Sequence, residues 1–158
     1  MEKLLTETEI KVLNKFGLLE LTASKSYLNL ASIMQMKGAF GAESFFRKES
    51  DSEREHFDKL RQFMNNLNVK IDVPGIGDPE CDCATIKESL VVAYEMERDL
   101  MLEYEKEAKN SELSLKVVLL LQDFTTHQVG AVGEYSDLIA ISELTNDELL
   151  LDNKIKEM

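Results

Sequence analysis

Both prolines of the chain, Pro74 and Pro79, fall inside one stretch, VPGIGDPECDC, together with two of the seven glycines. Proline removes a backbone donor and clashes inside a helix, so a chain that confines its prolines to one place is free to be helical elsewhere. Residues 69–85 therefore form the one obvious break. Thr6 with Glu9, and Thr85 with Glu88, have the capping-box spacing and place helix starts near residues 7 and 86. Gly38 marks a stop for the first helix, and KNSE around Asn110 marks a tight turn after the third. The spacing predicts helices over residues 7–36, 41–67, 86–109 and 112–142, with a short tail helix over 146–157. Residues 1–158 are expected to form a single domain.

Connection lengths then restrict the topology. A helix of about 27 residues is roughly 40 Å long. The 17 residues from 69 to 85 can stretch to roughly 55 Å, enough to cross the whole bundle and let the second and third helices run parallel. The other two links are too short for that, so they join antiparallel hairpins. The expected fold is all-α, a four-helix bundle with one long crossover and a short fifth helix.

Composition narrows the partners. With 158 residues, 44% of them hydrophobic, the chain can bury one real core. No stretch approaches the roughly 18 apolar residues of a membrane span, and MEKLLTETEI lacks a signal-peptide pattern. A soluble, cytoplasmic protein with no membrane partner is expected, or an organellar one if a leader has been removed. Acidic residues outnumber basic ones by 30 to 18, for a net charge of -12, which argues against nucleic acid and makes cations the natural ligands. Cys81 and Cys83 lack a second pair to complete a zinc site and read as loop thiols.

Each long helix carries an inward stripe at steps of three and four residues. The first gives Leu13, Phe16, Glu20, Ala23, Tyr27, Leu30 and Met34; the second Ala42, Phe46, Glu49, Glu53, His56, Leu60 and Phe63. The third gives Leu90, Tyr94, Glu97, Met101, Tyr104 and Ala108; the fourth Val117, Leu121, Thr125, Gln128, Val132, Tyr135 and Leu138. Every stripe is broken near its middle by a carboxylate, an imidazole or an amide. Carboxylates buried together repel one another and persist only if protonated or neutralised by cations. Carboxylate oxygens with one nitrogen, and no thiolate, suit iron or manganese and can bridge two ions.

Four segments carry a family likeness: LELTASKSYLNL with Glu20 and Tyr27, ESDSEREHFDKL with Glu53 and His56, YEMERDL with Glu97, and HQVGAVGEYSDL with Gln128. In order and spacing they resemble the ferroxidase-centre segments of catalytic ferritin subunits, and the likeness covers nearly the whole chain. The resemblance implies one iron held by Glu20, Glu53 and His56, with Glu53 bridging to a second iron held by Glu97 and assisted by Gln128. Tyr27 matches the tyrosine beside that centre, and Glu49 is an accessory metal-ligand candidate. It further implies oxidation of Fe(II) by dioxygen, a ferric oxide mineral core, and a cage of twenty-four subunits, with or without other ferritin chains. The alternatives in the same fold are a non-catalytic shell subunit and a di-iron oxidase that forms no cage.

Departures from the family pattern are also legible. The fourth helix has no second E-x-x-H, offering Thr125, His127 and Gln128 instead, and His127 reads as a helix-flank residue. No heme ligand is evident, since core methionines such as Met64 and Met101 read as packing. Ala131 stands where some relatives carry a glutamate for a third iron, and SLKVVLLLQDF is apolar where many line an acidic three-fold pore. Gly130 and Gly133 inside the fourth helix imply close packing or a local bend. The tail TNDELLLDNKIKEM is amphipathic, and Leu149, Leu150 and Ile155 call for cover, by symmetry mates or not at all if the end is flexible.

Overall fold

A computed structural model describes residues 1–158. Its five helices are α1 (Glu7–Met36), α2 (Phe40–Asn66), α3 (Ile86–Ala108), α4 (Leu115–Ser142) and α5 (Glu148–Lys156), and there are no strands. None is long and apolar enough to cross a membrane. Thr6 caps α1 in a complete capping box with Glu9, and Thr85 caps α3 by accepting from the Glu88 N–H. The α1–α2 link turns through Gly38 at φ 81°, a left-handed conformation that glycine adopts without strain.

The fourth helix begins at Leu115, three residues later than the spacing suggests. Leu113 is instead buried in a turn, and the Glu9 side chain accepts from both the backbone N–H (2.8 Å) and the hydroxyl of Ser114. One carboxylate thereby secures the starts of α1 and α4 together. Ser114 is N-cap by position, but its own side chain makes no cap bond.

Two apolar clusters fill the bundle. One gathers Leu13 and Phe16 of α1, Phe57 and Leu60 of α2, Leu100 and Tyr104 of α3, and Val117 and Phe124 of α4. The other gathers Tyr27 and Leu30, Ala42 and Phe46, Leu90 and Ala93, and Tyr135 and Leu138 from the same four helices. Chain order through the clusters fixes the direction of each helix. α1 and α4 run from the first cluster to the second, while α2 and α3 run from the second to the first. The pair α2 and α3 is therefore parallel, and the connection between them starts at the first cluster with Val69 and Ile71 and ends at the second with Cys83. That is the ferritin-like bundle with its crossover and short fifth helix.

Three local expectations change. Cys81 and Cys83 are not free thiols but are bonded to each other. A Cβ at Gly130 or Gly133 would meet nothing within 4 Å, so close packing inside the chain is not the reason for either glycine. In the tail, Leu151, Asp152 and Ile155 are buried while Leu149 and Leu150 stay exposed.

Candidate metal centre

Between the two apolar clusters lies a polar layer. Each helix contributes to it at the height where its stripe is interrupted: Glu20 from α1, Glu53 and half-buried His56 from α2, Glu97 from α3 and Gln128 from α4. Glu20, Glu53, Glu97 and Gln128 are each no more than 2% exposed. A glutamate placed there must find donors or a cation, because an unpaired buried charge costs several kcal/mol.

Part of that demand is met by neighbouring side chains. The Tyr104 hydroxyl donates to Glu20 Oε1 at 2.6 Å, and the Tyr27 hydroxyl to Glu97 Oε1 at 2.5 Å. Gln128 Nε2 donates to Glu97 Oε2 at 2.5 Å and to its backbone carbonyl at 3.2 Å. The Tyr135 hydroxyl donates to Glu49 Oε2 at 3.3 Å. Stacking of Tyr104 between Phe16 and Phe124, with ring centroids 4.0 and 5.0 Å away, holds its hydroxyl in place.

The remainder of the demand is unmet. Glu20 Oε2, Glu53 Oε2, His56 Nδ1 and Gln128 Oε1 are buried without a hydrogen-bond partner. His56 Nδ1 lies 3.4 Å from Glu20 Oε2 and 3.5 Å from Glu53 Oε2. For metal–ligand bonds of roughly 2.1 Å, donor atoms so spaced subtend roughly 110° at an ion between them. Donor atoms of Glu20, Glu53 and His56 form one group within 4.8 Å, and those of Glu49, Glu53 and Glu97 form a second, so Glu53 belongs to both. The donor set fits two divalent cations sharing one carboxylate.

Protonation follows from the same crowding. Burial, reinforced by Glu20 and Glu97 alongside, drives the Glu53 carboxyl far above the ordinary carboxylate range, so without a cation it keeps its proton. Burial also opposes ionisation of Glu20, but the Glu53 and His56 side chains alongside and the hydrogen bond from Tyr104 outweigh it and hold Glu20 below its ordinary value. Glu49 is raised to about 7 by burial and by the Glu134 and Glu97 carboxylates. Burial first, then the neighbouring Tyr135 phenol and Glu97 carboxylate, keeps Tyr27 a neutral phenol that donates to Glu97.

All six residues named from the stripes (Glu20, Tyr27, Glu53, His56, Glu97 and Gln128) meet in this layer, with Glu49 at its edge. Thr125 does not join it; its hydroxyl donates to the Leu121 carbonyl. His127 is exposed on α4 and stands edge-on to His56 at 4.4 Å between ring centroids. Tyr104 and Tyr135 stood on the stripes without a role, although a tyrosine at a core position announces a hydroxyl that needs an acceptor.

The ferritin family, described as a ferritin-like domain, matches residues 10–144. Soma ferritin of Lymnaea stagnalis is 29% identical over 127 residues, which are 77% of this chain and 73% of that protein. A ferritin of Pacifastacus leniusculus is 24% identical over 155 residues, 92% of this chain and 86% of its own. An open pore ferritin from the archaeon Archaeoglobus fulgidus superposes with a TM-score of 0.90 at 18% identity, covering 96% of this chain and 97% of its own, a likeness of fold alone.

Proposed function

Because the chain belongs to the ferritin family, we propose that it is an iron-storage ferroxidase, with Fe(II) and dioxygen as substrates and ferric oxide as the stored product. One ferrous ion is taken by Glu20, Glu53 and His56, and a second by Glu53, Glu97 and Glu49. The observation that carries this reading is the membership of Glu53 in both ligand groups, with its Oε2 buried and unpartnered. A shared carboxylate holds two like-charged ions close enough for one dioxygen to accept an electron from each.

The surrounding residues orient the ligands. Tyr104 fixes one oxygen of Glu20 and leaves the other facing His56. Tyr27 and Gln128 together fix Glu97, which is the positioning that neighbouring donors supply in metal sites. Tyr27, hydrogen-bonded to a ligand, is also placed to supply an electron and a proton. Two apolar clusters above and below exclude bulk water from this layer. Assembly into a hollow cage of twenty-four chains, with the whole of residues 1–158 as one unit, completes the storage role, and no heme is involved.

The test is iron oxidation in air. Metal-free protein given ferrous ion should produce a fast rise in ferric absorbance. Loss of an outer partner of a metal ligand costs roughly 10- to 100-fold, so Glu53→Ala, which removes the shared ligand itself, should slow the rise at least that much. Equal rates in parent and variant would remove Glu53 from the reaction.

A further inference from the structure

Dioxygen needs four electrons and four protons to become two waters, and two ferrous ions supply only two of the electrons. With no other donor the reaction stops at hydrogen peroxide. The chain has no tryptophan and its two cysteines are bonded to each other, so tyrosine is the side chain left to give single electrons. Tyr27 already donates to the proposed ligand Glu97. One phenol gives one electron, which leaves the reduction of dioxygen one short.

Tyr135 of α4 stands against Tyr27. The two rings stack with 6.3 Å between centroids and 12° between planes, both are fully buried, and both belong to the second apolar cluster. Their hydroxyls face two carboxylates of the same ligand group: Tyr27 donates to Glu97 Oε1 and Tyr135 to Glu49 Oε2. An oxidised phenol is a strong acid, and one that kept its proton would leave an unpaired positive charge in the dry layer. Each ring has its own acceptor. The remaining tyrosines are placed differently. Tyr104 belongs to the first cluster, across the layer, and its ring stacks on Phe16 and Phe124. Tyr94 lies 5.8 Å from the Arg98 guanidinium, a cation that opposes loss of an electron.

We propose that Tyr135 is the second electron donor of the oxidation, acting through Tyr27, so that the stacked pair carries dioxygen to water instead of hydrogen peroxide. This rests on the ferroxidase reading. Two ferrous ions give two electrons; Tyr27 gives a third, is refilled by Tyr135, and gives the fourth. In sum each phenol loses one electron and one O–H proton, the proton leaving by the carboxylate that the hydroxyl faces, Glu97 Oε1 or Glu49 Oε2. Those two protons and two from solvent complete the two waters. Both tyrosines end as neutral phenoxyl radicals, which two further ferrous ions and two solvent protons restore.

The test loads the metal-free protein with two ferrous ions per chain, which leaves none to restore the phenols, admits air and freezes the sample. Electron paramagnetic resonance of the parent should show a phenoxyl pair with the dipolar splitting of adjacent rings, and no hydrogen peroxide should be released. Tyr135→Phe removes one hydroxyl and keeps the ring. It should lose the paired signal and release hydrogen peroxide, and with excess iron the number of ferrous ions oxidised per dioxygen should halve. Tyr27→Phe should lose the paired signal as well. A fast ferric rise in the parent with a lone phenoxyl or none overturns the role of Tyr135, as does a paired signal that survives Tyr135→Phe. Absence of the ferric rise overturns the ferroxidase reading itself, and the donor role with it.

Discussion

At the scale of single residues, the centre is a set of carboxyl groups that the fold holds in a dry layer against their own repulsion. Glu49 makes this measurable. Its folded value of about 7 lies above its ordinary 4.5, so the folded chain holds that proton more tightly than the unfolded one. The resulting stability is fully present below about 4.5 and is lost as pH rises through about 7, with an upper bound of about 3 kcal/mol. Denaturant unfolding of the metal-free protein should therefore give falling stability across that window, and Glu49→Gln should flatten the fall; an unchanged slope would contradict the burial assigned to Glu49. Glu20, Glu53, His56, Glu97 and Gln128 were legible in the sequence because each interrupts an apolar stripe at the same height. Tyr104 and Tyr135 were not, because a stripe counts tyrosine as filler and the acceptors, Glu20 and Glu49, lie on other helices. The bond between Cys81 and Cys83 was hidden for a similar reason, since two cysteines one residue apart are compatible with either state.

At the scale of elements, the tail helix is held by a cap supplied from a distance. The N-cap of α2 is Ala39, whose methyl group offers no acceptor, and Asp152 of α5 fills the role. Its Oδ2 accepts from the Gly41 N–H at 3.0 Å and its Oδ1 from the Ala42 N–H at 2.7 Å. Position 41 must be glycine for this approach, since a Cβ there would stand 2.4 Å from the Asp152 carbonyl oxygen. Asp152→Ala should cost about 1–2 kcal/mol and free α5, seen as faster proteolysis after residue 142 with the bundle intact. Cleavage at the parent rate would mean that α5 is held by its apolar contacts alone. The amphipathic pattern made the tail helix legible, but not which of its faces docks: the face of Leu151, Asp152 and Ile155 was chosen by two open N–H groups at the start of α2. The start of α4 shifted for a related reason, because Glu9 reaches across the bundle to Ser114 and fixes the turn before it.

At the scale of the whole molecule, two apolar clusters stacked on either side of one polar layer explain both the stability of the bundle and the placement of the centre. Large apolar side chains remain outside this plan: Leu115 is 72% exposed, Leu144 85% and Leu149 70%, all near the ends of α4 and α5. In the cage proposed above these side chains would be buried between copies; the native mass in solution should then correspond to about twenty-four chains, and a stable monomer or dimer would remove the cage. The central claim, that polar side chains from four helices converge to hold two ions through one shared glutamate, is tested most directly by anomalous diffraction at the iron edge from crystals soaked in Fe(II) without air. Two peaks should flank the Glu53 carboxylate, one facing Glu20 and His56 and the other facing Glu97 and Glu49. A single peak away from Glu53, or none in the layer, would contradict it.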